Sequence, residues 1–131
     1  MVRIILIIAA IIEFIFRGLP AFFGSQGIAN LFGLEYIPGA LVYVHPFGAL
    51  LLVFGVMFFL ASQDIVKYQF VINIGILRFA LGFISYFITL FMLGSLAAFW
   101  WIHCVIDLIF LILFIVIRPK AVVAKAKKNE E

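Results

Sequence analysis

Glu13, Arg17, Arg78 and Asp107 interrupt stretches that are otherwise almost wholly apolar. An ionisable group at bilayer depth costs at least ~2.5–3.5 kcal/mol even on the lenient insertion scale. Such groups persist when they face a protein interior and find partners there. The formal charges of these four sum to zero. Counted at ~1.5 Å per helical residue, Glu13 lies ~18 Å from Met1 and Arg78 ~20 Å from Ile65. Counted back from Ile117, Asp107 lies ~15 Å in and His103 ~21 Å in. Glu13, Arg78, His103 and Asp107 are therefore expected in one layer, with Arg17 and His45 about one turn further out.

Two chemistries suit that layer. Arg78 can bridge Glu13 to Asp107 while Glu13 and Arg17 pair across one helical turn, a network that fixes helix register. The same residues can instead line a cavity that binds a polar ligand or relays protons. The candidates for that role are Glu13, Arg17, Arg78, His103, Asp107 and His45. His103 and Asp107 stand four apart, so one can meet the other. No cofactor is expected. The option weighed is a haem held axially by His45 and His103 on diagonal helices. Against it, His45 precedes Pro46, and Arg78 and Glu13 crowd the centre.

Other chemistry is absent from the sequence. There is no H-E-x-x-H, phosphate loop, CxxC or G-x-S-x-G. Ser85 and Thr89 are expected to bond back to their own helix. Asn73 is expected to act as interhelical glue. Cys104 lies inside an apolar run and reads as a small buried hydrophobe.

The elements that must position these residues are helices. Hydrophobic residues make up 68% of the 131 residues and charged residues 11%, against roughly 45–50% and ~25% in a soluble domain. Mean hydropathy is +1.35. A soluble domain, a disordered chain and a disulfide scaffold are excluded. Each crossing needs about 20 apolar residues, so the chain holds four crossings in a single domain. The expected helices are 2–19, ended by Pro20, then 40–61, 65–90 and 96–117, the last stopped by Pro119. Arg3 followed by an apolar run mimics a signal peptide, but Glu13 and Arg17 follow at once and no A-x-A-like site appears. The segment is read as retained helix. The Gly-rich segment 21–39 contains a short helix capped by Ser25 and stopped by Gly33, lying along the interface. Asp64 is the expected N-cap of the third helix. Gly94 and Ser95 mark the last reversal. The fold class is thus all-α membrane protein, an up-down bundle of four transmembrane helices.

Stripes at helical spacing mark the faces that should meet, with small residues along them allowing close approach. They are Arg3, Leu6, Ala10, Glu13 and Arg17 on helix 1, and His45, Gly48, Gly55 and Ser62 on helix 2. On helix 3 the stripe is Gly75, Arg78, Gly82, Ser85 and Thr89. Arg3, Lys67 and the five basic residues of the tail 118–131 fall at one end of the bundle. That end should be cytoplasmic, with both termini inside a bacterial or archaeal cytoplasmic membrane. The tail is expected to fray beside anionic lipid. It has no aromatic residue, which argues against nucleic acid. Trp100 and Trp101 then fall near the outer interface.

Short motifs add a resemblance. Ile28-Ala29-Asn30-Leu31-Phe32-Gly33-Leu34 precedes helix 2. Phe47-Gly48-Ala49-Leu50-Leu51-Leu52-Val53-Phe54-Gly55 follows on it. Gly75-Ile76-Leu77-Arg78 lies on helix 3 and Asp107 on helix 4. This pattern resembles small four-helix bacterial membrane proteins of the DoxX-like and neighbouring uncharacterised groups. Some DoxX relatives are linked to thiosulfate:quinone oxidoreduction as membrane subunits. The expected function is a non-enzymatic membrane subunit or accessory protein of a larger assembly, partnered by lipid and by other subunits or its own copies. The first alternative is a small-solute or proton-coupled carrier using the polar layer. The second is a quinone-associated redox subunit, with the quinone near His45, Arg17 and Trp101.

Overall fold

The computed structural model describes residues 1–32, 34–94 and 98–130, with side chains at all of these except 98 and 119–130. The described chain is helical, with four helices long and apolar enough to cross a membrane, as expected of an integral membrane protein. Helix α1 (Val2–Phe22) is followed by the short α2 (Gln26–Leu31) and a 3-10 turn at Pro38–Ala40. Helices α3 (Leu41–Gln63), α4 (Gln69–Leu93) and α5 (Ala98–Glu130) complete the bundle.

α1 does not end at Pro20. It is α-helical over Val2–Ile11, π-helical over Ile12–Gly18 and α-helical again over Leu19–Phe22. In the wide segment each N–H bonds five residues back, as Leu19 N–H does to the Phe14 carbonyl. The α-helix restarts there, so Pro20 falls in a first turn, where its missing N–H costs nothing. A Cβ on Gly18 would stand 2.7 Å from the Glu13 carbonyl oxygen and 2.8 Å from Leu52 Cδ2. The wide turn therefore needs a glycine at its end.

α1 and α3 run antiparallel in close contact. Gly48 faces the backbone of Ala21 and Phe22, and Gly55 faces Phe14, whose Cβ would be 2.6 Å from an added one. Arg3 reaches Gln63 Oε1 at 3.4 Å. α4 and α5 form the other close antiparallel pair, with Gly75 under the Phe114 ring and Gly82 under Asp107. In lipid, helices associate through such close packing rather than through a hydrophobic drive.

Between the pairs lies a phenylalanine core. Phe58 stacks on Phe79 at 5.8 Å and Phe79 on Phe110 at 5.1 Å, and Phe114 meets Phe58 edge-on at 5.2 Å. Leu6, Ile72 and Ile117 close around them. Each aromatic pair adds ~0.5–1.5 kcal/mol beyond its buried area.

Several boundaries move. α4 starts at Gln69 rather than 65, because Asp64 closes a turn instead of capping a helix. Its Oδ1 accepts from Lys67 N at 3.0 Å and its carbonyl from Tyr68 N at 3.1 Å. α5 passes through Pro119 to Glu130, so neither the stop nor the frayed tail is found. Proline is tolerated in membrane helices, and the Ala- and Lys-rich segment beyond it favours helix. Ser25 caps α2 as expected, its Oγ accepting from Ile28 N at 3.3 Å. Gly94, at φ 72°, ends α4 in the left-handed region that favours glycine. Gly33 and Ser95 lie outside the described residues.

Asn73 is exposed on α4 and is not interhelical glue. Asn73→Leu is accordingly expected to leave the unfolding free energy within ~0.5 kcal/mol of wild type or to raise it. Equilibrium unfolding in bicelles checks this; a loss above that size would put Asn73 back at a helix contact.

Candidate functional site

The four intramembrane charges meet as a closed ring. Arg17 Nη1 lies 2.8 Å from Glu13 Oε1 and 2.5 Å from Asp107 Oδ1. Arg78 Nη2 lies 3.2 Å from Glu13 Oε2, and Arg78 Nη1 lies 3.6 Å from Asp107 Oδ2. Acid and base alternate around the ring, so each charge has two opposite neighbours and the sum is zero. The π-helical turn presents both Glu13 and Arg17. Gly82 lets Asp107 and Arg78 approach the backbone of α4.

Arg17 is the tightest member, not an outlier one turn away. Its side chain reaches back toward Glu13, and its Nη2 also donates to the His103 carbonyl at 3.2 Å. Arg78 is held more loosely. Its side chain is 11% exposed, against 4% for Arg17 and 0% for both carboxylates. Its guanidinium lies 5.6 Å from the Phe79 ring and 6.0 Å from that of Phe54. Three buried atoms have no hydrogen-bond partner among the described residues: Arg17 Nε, Arg78 Nε and Asp107 Oδ2.

His103 does not pair with Asp107 through its ring. Its Nδ1 is 2.9 Å from the Phe99 carbonyl, and its ring lies 4.2 Å from that of Phe99. The ring thus turns back along α5, away from the carboxylate four residues on. His45 is exposed on α3. It does not border the space that His103 borders, so the two imidazoles do not converge on a haem. Among the described residues no three His, Cys, Asp or Glu side chains are grouped to hold a metal. Ser85 and Thr89 donate to the carbonyls of Gly82 and Ser85, at 2.7 and 2.9 Å. Cys104 is buried.

Above the ring, at the end of the bundle that carries α2, lies a cavity of about 540 Å³. Arg17, Arg78, Tyr86, Trp100 and His103 border it. Its walls are mostly apolar, with Phe16, Phe32, Val44, Phe47 and Phe99 among them. The connection between α1 and α3 contributes Ser25, Ile28, Glu35 and Tyr36. A mostly apolar pocket of this size with a few convergent polar groups is the usual form of a small-molecule site. Below the ring Phe110 and Phe114 follow Asp107 by one and two turns, packed against Phe58 and Phe79. A second hollow of about 350 Å³ between α1 and α3 is bordered by Ile7, Phe14, Gly55 and Phe59 and has no polar side chain.

Sequence reasoning missed Tyr86 and Trp100. Tyr86 had a signal: it stands four and eight residues after Gly82 and Arg78, on their stripe. Trp101, the residue singled out beside a quinone, is exposed on α5 and does not border the cavity. No family model, curated protein or solved structure matches this chain.

Proposed function

We propose that this is a non-enzymatic accessory protein of the membrane that holds a small amphipathic molecule, apolar in body and oxygen-bearing in its head. One observation carries the reading: the cavity ends on two guanidinium groups whose charges are already balanced by Glu13 and Asp107. Guanidinium offers donors and no acceptor, so the head it suits is an acceptor. The aromatic and aliphatic walls suit the body. Phe58, Phe79, Phe110 and Phe114, fully or almost fully buried below the ring, favour a holding site over a conduit. With the basic residues at 3, 67 and in the tail placed inside the cell, the cavity faces outward.

The test uses the protein in nanodiscs with n-decanol as probe. Decanol at 100 times its dissociation constant is expected to stabilise the fold by ~2.7 kcal/mol. Val44→Trp, which fills the cavity from α3, should abolish the shift while the variant remains folded. An equal shift in both proteins would mean that decanol acts elsewhere, and the cavity reading would fall.

A further inference from the structure

The ring gives the site a second property, which rests on reading the cavity as a ligand site. The ring is electrically complete before anything enters. An anionic head placed against Arg17 and Arg78 would leave one negative charge in excess at bilayer depth, which is costly. A proton on one of the two ring carboxylates removes that excess. Three carboxylate oxygens already accept hydrogen bonds: Glu13 Oε1 from both arginines, Glu13 Oε2 from Arg78, and Asp107 Oδ1 from Arg17. Asp107 Oδ2 accepts none among the described residues. Its one opposite charge there, Arg78 Nη1, stands at 3.6 Å, the longest edge of the ring. Arg78 is also the most exposed member and borders the cavity.

We infer that the site takes anionic amphiphiles electroneutrally: Arg78 exchanges Asp107 for the incoming head, and Asp107 Oδ2 takes up one proton from water. Sulfonate and carboxylate heads share the required chemistry. The titratable and charged groups near Asp107 are Arg17 and Glu13 from α1, Arg78 and Tyr86 from α4, and Cys104 and His103 on its own helix. The His103 ring is turned toward Phe99, while Glu35 borders the same cavity. α3 brings Phe54 toward Arg78, and its His45 is exposed.

The experiment uses the full chain in nanodiscs with n-decanesulfonate, whose head stays charged throughout, so any proton taken up is held by the protein. In weakly buffered suspension with a pH-sensitive dye, one proton should disappear per sulfonate bound. Sulfonate affinity should fall as pH rises, because one proton is taken up with each sulfonate. Decanol should bind with no proton uptake and no pH slope. Asp107→Asn should bind sulfonate with neither, because the ring then has a positive charge to spare. Sulfonate binding without proton uptake overturns the inference and leaves the cavity reading intact. So does decanol binding with no sulfonate binding. Uptake that persists in Asp107→Asn moves the proton to another group, His103, Glu13 or Glu35, and also overturns it. If neither probe binds, the cavity reading itself fails. Should Asp107→Asn not fold, His103→Gln decides: uptake of one proton per sulfonate that persists there supports the inference, and uptake that vanishes there overturns it.

Discussion

Replacing Arg17 by methionine is expected to cost ~3–5 kcal/mol of unfolding free energy, the range for a broken buried ion pair. Arg17 contacts both carboxylates and the His103 carbonyl. Its removal leaves Glu13 and Asp107 sharing one looser cation, with one charge uncompensated. Arg78→Met should cost less, because its contacts are longer and its side chain keeps some exposure. The double variant Glu13→Gln with Arg17→Met leaves Arg78 and Asp107 as a neutral pair and should recover much of the loss. Equilibrium unfolding in bicelles gives these three values and that of Glu13→Gln alone, which the cycle needs. If Arg17→Met is no worse than Arg78→Met, or if the double variant loses the sum of its singles, the ring is not the coupled unit described above.

Gly48→Leu is the second large effect expected. A Cβ at Gly48 meets the backbone nitrogen of Phe22 and the carbonyl carbon of Ala21. Backbone cannot yield as a side-chain tip can, so α1 and α3 must part. The expected loss is at or above the upper end of the ~1–3 kcal/mol typical of overpacking. Parting them also opens the cavity wall between Ala21 and Phe47, so decanol should no longer stabilise the variant. Gly39→Leu is the control, since nothing lies within 4 Å of its added Cβ. Equal unfolding free energies for the two variants would remove Gly48 from the helix contact.

The four helices and the meeting of Glu13, Arg78 and Asp107 were legible because two physical constraints leave few choices. Apolar length sets the number of crossings. Neutral charge balance at matching depths then draws the ionisable groups together. What escaped was set by finer geometry. Arg17 was placed a turn too far because depth was counted at the backbone, while a long side chain can reach back a full turn. The π-helical segment has no signature in the apolar pattern, and it is what lets Pro20 sit within a helix. Pro119 failed as a terminator for a different reason: the chain beyond it is rich in good helix formers. His103 and Asp107 have the spacing to pair, yet the nearer Phe99 carbonyl holds the imidazole. The cavity was invisible because much of its wall comes from the connection between α1 and α3, whose helical pieces are too short for a period to assign a face.

The ring's closure also decides how the protein responds to voltage. A potential of 100 mV does about 2.3 kcal/mol of work on each elementary charge carried across the bilayer. Two guanidiniums and two carboxylates clasped in one layer feel opposite pulls that cancel. An energised membrane therefore exerts no net force on the four charges, and the phenylalanine block beneath them leaves the field no water-filled column in which to concentrate. The site should work the same way in a charged cell and in a resting vesicle.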